Sequence, residues 1–241
     1  MITLYQFPIS HFCEKIRWAL DYKNLDHRIV SMVPGLHINQ TKKMVVRSSV
    51  PIIEHNNNYI QGSSEIIDYL DSSFPEKSLS PNDKSFIKEA NYWENYLGKE
   101  IGVTVRPCIY HILLDHPTIV KPFFSHKGPW YGNLFLSFAY PKLASKMRHL
   151  MKINSETTVE AKEQLSKAVD RLNEHYQHNQ YLVGDKFSRA DLSAAALLAP
   201  LSMQPKYGLN WPKEIPEELR TLMDEFKEKT NWVNRMYERY R

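Results

Sequence analysis

The segment Phe7-Pro8-Ile9-Ser10-His11-Phe12-Cys13-Glu14-Lys15-Ile16-Arg17 decides how this chain is read. An apolar run from Ile2 to Phe7 ends at a proline, and a helical pattern starts a few residues later. Ser10 therefore falls at or just before a helix N-terminus. Unpaired backbone N–H groups and the positive end of the helix dipole meet there, a setting that stabilises an anion such as a thiolate. A site that cycles a disulfide would carry cysteine at both ends of this four-residue spacing. Here the first position is Ser10 and only Cys13 is a thiol. The pattern points to stabilising a thiolate that another molecule brings.

Working outward, the first third alternates strand and helix signals. Ile2 to Phe7 reads as a buried strand and Phe12 to Tyr22 as a helix, with Phe12, Ile16, Ala19 and Leu20 at core-facing spacing. His27 to Val30 is a second short strand, and Leu36 to Met44 a weak, irregular helix. Val50 to Glu54 and Tyr59-Ile60 are strands around Asn56-Asn57-Asn58, a turn tolerant of left-handed backbone. Ser63 to Ser73 is a helix with Ile66, Ile67 and Leu70 on one side. This order predicts a small α/β domain with a mixed sheet over residues 1–75. A Pro- and Ser-rich stretch, Phe74 to Asn82, reads as a linker. An all-α domain is expected over 82–241, with helices at Phe86–Ile101, Val103–Asp115, Leu134–Met151, Thr158–Gln177, Ser188–Leu201 and, with one break, Glu217–Tyr240. Pro117 and Pro122 are taken as breakers between them.

Composition narrows the function. A length of 241 residues with 42% hydrophobic content supports a folded chain with a sizeable core. The net charge of +4 is mild and comes without a basic block, so nucleic acid is not the expected partner. Only two cysteines, Cys13 and Cys108, argue against a disulfide framework and for a reducing, cytoplasmic setting. No signal peptide is read at Met1 to Tyr5, and the densest apolar run, Ala194 to Leu201, is too short to span a bilayer. The histidines are scattered without metal-ligand spacing, so no metal is expected.

Three features of the first domain act together: Ser10, the Val50-Pro51 strand start, and Gly62-Ser63-Ser64 before a helix. Proline is disfavoured within a ladder and so begins the strand or lies at an edge. A cis bond there would turn the Val50 backbone N–H and C=O toward a peptide-like ligand, although cis bonds are a small minority of X–Pro bonds. A hydroxyl with backbone N–H groups at a helix start makes a carboxylate site.

Ser-x-x-Cys-x-Lys-x-Arg after the first strand, Val-Pro before the third, and Ser63-Ser64-Glu65-Ile66-Ile67-Asp68-Tyr69-Leu70 resemble the glutathione-binding half of a cytosolic glutathione transferase. Phe187-Ser188-Arg189-Ala190-Asp191-Leu192 resembles the N-capping box of that family's helical half. The resemblance implies a thioredoxin-like α/β domain followed by an all-α domain, and conjugation of glutathione to a small hydrophobic electrophile by a homodimer. It places Ser10 against the glutathione sulfur, Val50 and Pro51 against the cysteinyl backbone, and Ser63 with Ser64 on the γ-glutamyl carboxylate. Cys13 stands beside them as a further glutathione contact. In tyrosine-type members the sulfur-binding residue is late in the first strand. Gln6 occupies that position here, and Tyr5 points to the other face. The chain departs from the family pattern at Gly62, where relatives carry Glu or Gln for the γ-glutamyl amine, and at the Arg47-Ser48-Ser49 turn.

Two alternatives stand beside this reading. One is a glutathione-dependent thiol reductase or isomerase that forms a mixed disulfide on Cys13. The other is a non-catalytic binding protein that keeps the fold. Arg106, Tyr110, His111, Trp130 and Tyr131 are candidates for an electrophile pocket, against the simpler expectation that aromatic residues at helical spacing are core.

Overall fold

The computed structural model describes all 241 residues. Four strands, β1 (Ile2–Gln6), β2 (His27–Ser31), β3 (Ile52–His55) and β4 (Asn58–Gln61), form one sheet in the order β2-β1-β3-β4. β1 runs parallel to β2 and antiparallel to β3, and β3 pairs antiparallel with β4. The mixed sheet expected from the sequence is therefore present. Asn56 and Asn57 take left-handed φ of 51° and 62° in the hairpin, the conformation that asparagine tolerates best among residues with a Cβ. Helices α1 (His11–Tyr22), α2 (His37–Thr41) and α3 (Ser63–Ser73) accompany the sheet.

Everything after Ser73 is helical or irregular: α4 (Lys84–Leu97), α5 (Val105–Leu113), α6 (Pro117–Ser125), α7 (Gly132–Leu150), α8 (Ser155–His178), α9 (Arg189–Leu198), α10 (Glu217–Lys227) and α11 (Asn231–Tyr240). Two features differ from the sequence reading. Pro117 and Pro122 do not break the chain but belong to α6. Pro117 opens it, where the missing N–H would have had no helical partner, and Pro122 is accommodated inside a helix of only nine residues. The long helix expected over 86–101 ends at Leu97 and continues as a π-helical turn, Gly98–Gly102.

The core is continuous from the sheet into the helices, with Ile2, Leu4, Ile16, Trp18 and Leu20 in the same apolar cluster as Leu97, Leu197, Val233 and Tyr237. α9 is its axis. All ten of its residues are buried, and Ala190, Ala194, Ala195 and Ala196 let α1 and α4 approach closely. Ser188 and Asp191 form the capping box at its start, as the sequence suggests. Each large apolar side chain taken from water here contributes about 1.5–3 kcal/mol. Trp18 illustrates the join: its ring lies 4.4 Å from Tyr237, and its indole N–H donates to the Tyr240 carbonyl at 2.8 Å.

Candidate functional site

Strand register brings the three sequence features to one end of the sheet. Tyr5 of β1 pairs with Ile52 of β3, and Ile52 pairs with Gln61 of β4. The exit of β1, the entry of β3 and the exit of β4 therefore lie side by side. Ser10, Val50-Pro51 and Ser63-Ser64 follow directly from those three strand ends. Two contacts fix the cluster. The Gly62 N–H donates to the Pro51 carbonyl at 3.2 Å, and the Lys15 ammonium donates to Ser63 Oγ at 3.4 Å.

Ser10 is the N-cap of α1. Its φ and ψ of −75° and 120° are extended, and its Oγ accepts the Cys13 N–H at 3.3 Å. A capping hydroxyl keeps its own proton, so Ser10 retains a donor that can face a ligand. The loop carrying it is held from below. The Arg17 guanidinium donates to the carbonyls of Pro8 at 3.3 Å and Tyr207 at 3.0 Å, and the Tyr207 hydroxyl donates to the Ile9 carbonyl at 2.7 Å. Val50-Pro51 is a cis peptide, and the Val50 N–H and C=O bond to nothing else in the chain. Gln61 pins the departing turn beside it by donating to the carbonyls of Arg47 and Ser49, at 2.8 and 2.7 Å.

Two residues of the first strand are occupied elsewhere. Gln6 is buried and accepts from Arg17. The Tyr5 hydroxyl donates to Glu54 at 2.6 Å, and burial, reinforced by Glu54, pushes its pKa up to about 12. Cys13 has no exposed surface, and burial raises its thiol pKa, with the Ser10 hydroxyl acting in the opposite sense. It lies behind the Ser10 surface, in the body of the molecule. His11 is buried as well. Its Nε2 lies 2.9 Å from the Gly102 carbonyl, and burial with the nearby Arg106 charge lowers its pKa to about 3. Its imidazole is therefore neutral near pH 7.

Gly62, the departure noted above, has a local steric reason. Its φ is +104°, and a Cβ there would come 2.2 Å from Glu65 Oε2. The Glu65 carboxylate thus stands over the place where a side chain at 62 would begin. Glycine serves both needs, the positive φ and the space.

A buried ion cluster beneath α3 could not be read from the sequence. Glu94 of α4 accepts from Lys15 of α1 and pairs with Arg189 of α9 at 2.6 Å. Arg189 also reaches Asp68 and donates to the Ser64 carbonyl at 3.2 Å. Burial disfavours the Glu94 charge, but Lys15 and Arg189 outweigh it and hold the carboxyl below its ordinary pKa. Lys15 was visible as part of the Ser-x-x-Cys-x-Lys-x-Arg motif. Its partners lie far along the chain, and no local signal points to them.

The comparisons agree with this architecture. The glutathione S-transferase N-terminal domain model matches residues 4–78, and the glutathione S-transferase C-terminal domain model matches residues 142–239. A probable glutathione S-transferase of Nicotiana tabacum is 22% identical over 197 residues, covering 80% of this chain and 68% of the relative. Among solved structures, the beta-etherase LigF of Sphingobium sp. strain SYK-6 superposes with a TM-score of 0.65 at 22% identity, over 98% of both chains. A glutathione S-transferase of Methylobacillus flagellatus with glutathione bound superposes with a TM-score of 0.59 at 16% identity, over 95% of this chain and 98% of that one. With both halves matched in order, and the sheet, the cis Val50-Pro51 bond and the capped α1 and α9 in place, the chain belongs to the glutathione S-transferase family.

Proposed function

We propose that the protein conjugates the glutathione thiolate to a small hydrophobic electrophile, with Ser10 donating to the sulfur. The observation that carries this reading is the convergence of the Ser10 cap, the unpaired Val50 backbone and the start of α3 at one sheet end. Val50 pairs with the cysteinyl backbone, Pro51 shapes that edge, and Ser63 and Ser64 hold the γ-glutamyl carboxylate at the α3 N-terminus. Glu65, leaning over Gly62, supplies the acid for the γ-glutamyl amine.

Magnitudes define the role of Ser10. Lowering a thiol pKa from about 8.5 to about 6.5 takes roughly 2.7 kcal/mol. A helix terminus supplies about 0.3–1 kcal/mol. A hydrogen bond to a charged partner supplies about 1.5–3 kcal/mol, enough to close the gap. Ser10 is thus a donor, and the nucleophile is the sulfur of the tripeptide. The protein holds the two reactants in place while the carbon–sulfur bond forms and the leaving group departs.

The division into residues 1–75 and 82–241, a two-fold homodimer and a cytoplasmic location complete this proposal, supported by the family likeness. The thiol reductase reading has less behind it, because Cys13 is fully buried with a raised thiol pKa. The deciding experiment titrates bound glutathione by thiolate absorbance. Ser10→Ala is expected to raise the bound thiol pKa by about one to two units and lower kcat/KM at neutral pH about 10–100-fold. Cys13→Ser is expected to leave both near wild type. Loss of turnover in the cysteine variant alone would sink the reading.

A further inference from the structure

We propose that Arg106 and Tyr110 form a recognition site for a carboxylate carried by the electrophile, so that the second substrate is anionic as well as apolar. This deepens the conjugation reading and rests on it.

Placement comes first. The π-helical turn that leads into α5 docks on the first turn of α1: the His11 ring meets the Gly102 carbonyl at 2.9 Å, and a Cβ on Gly102 would lie 2.5 Å from Phe12 Cζ. Further along, Ile109 and Leu113 of α5 line a small apolar cavity of about 30 Å³ together with Ile9, Phe123 and Trp211. Within α5, Arg106, Ile109 and Leu113 recur at spacings of three and four, which puts Arg106 on the face that meets Ile9, and its charge acts on His11. Tyr110 follows Arg106 by one turn on the same side.

Satisfaction comes second. Arg106 forms no ion pair, and its side chain makes no hydrogen bond. Its Nε is fully buried without a partner. Arg106 as a whole is half-buried, yet it stands alone beside the more deeply buried cations, each of which has an acid: Lys15 has Glu94, Arg17 has Glu14, Arg189 has Glu94 and Asp68. A guanidinium cannot relieve partial burial by losing its proton, so an unpaired one favours the arrival of an anion. The Tyr110 side chain, half-buried, makes no hydrogen bond within the chain, and burial keeps its hydroxyl protonated as a donor. Two idle donors one helical turn apart, with a planar fork available for bidentate contact, suit a carboxylate. The apolar side chains beside Ile9 offer a neighbouring contact for a hydrophobic group, although the cavity they enclose is itself too small to hold one. Glutathione also brings carboxylates, but the γ-glutamyl end belongs to the α3 side of Ser10. Its glycyl carboxylate is the competing occupant, and the test separates the two.

The protein loaded with S-methylglutathione is titrated by calorimetry with para-nitrobenzoate and with its uncharged methyl ester. The wild type is expected to prefer the acid about tenfold or more, the scale of a charge-assisted hydrogen bond. Arg106→Met should abolish that preference, leaving the affinity for S-methylglutathione within about twofold. Tyr110→Phe should reduce the preference several-fold, and it serves as the second variant if Arg106→Met does not fold. Equal affinity of the wild type for acid and ester overturns the proposal. So does a preference unchanged in either variant, or a loss confined to S-methylglutathione, which would assign Arg106 to the glycyl carboxylate. Turnover of a neutral aryl halide is measured in parallel. Its absence counts against conjugation itself and leaves the binding result to judge Arg106.

Discussion

The Ser10 hydroxyl caps a helix and still has a proton to give. Its oxygen caps α1 through the Cys13 N–H, while its proton remains free for a ligand. The cap was legible in the sequence, because a serine between a strand-ending proline and a helical pattern reads as a cap on local grounds alone. The neighbouring His11 was not legible. Nothing in its sequence context announces that Gly102, ninety-one residues on, buries it. The burial has a pH consequence. The unfolded imidazole binds a proton below about pH 6.5, whereas the folded one resists protonation until about pH 3. Between those values the unfolded state carries more protons, so stability rises with pH through the window and falls on acidification. Going from pH 6.5 to pH 5, His11 alone should remove about 2 kcal/mol. Denaturant unfolding of His11→Gln across this range is expected to show a flatter slope than wild type. An identical slope would remove His11 from the account.

At the scale of elements, α1, α3 and α9 were foreseen nearly to the residue. All three show apolar periodicity, and α1 and α9 add a capping serine, the local consistency that a sequence displays best. α6 was missed because proline is a breaker by propensity, yet Pro117 sits where no N–H is needed and Pro122 where packing of Phe123 and Phe124 holds the turn. The π-helical turn at Gly98–Gly102 was missed for a related reason. It answers to the docking of α1, and no pattern in its own residues demands it. α3 yields a direct prediction. If the Glu65 carboxylate takes over from the absent side chain at 62, Glu65→Ala should weaken glutathione binding about tenfold by calorimetry while leaving the melting temperature nearly unchanged. Unaltered affinity would return Glu65 to the role of a solvated helix residue.

For the whole molecule, the buried triad of Lys15, Glu94 and Arg189 matters most. Lys15 comes from the sheet half, and the other two from helices on the far side of the linker. Glu94→Gln keeps the volume but leaves two buried cations facing one another. Breaking such a cluster is expected to cost about 3 kcal/mol or more, read as a lower denaturant midpoint at unchanged slope. A loss below about 1 kcal/mol would mean that the cluster is solvated and contributes like a surface pair.

The shared acid also limits how this architecture can be recombined. A hybrid that grafts the first eighty residues onto helices without an acid at position 94 would inherit an ammonium group with no matching carboxylate. Helices transplanted the other way would bring Glu94 and Arg189 without their lysine. The two portions are therefore coupled through this cluster, and a change at position 15 leaves Glu94 with Arg189 as its one remaining partner.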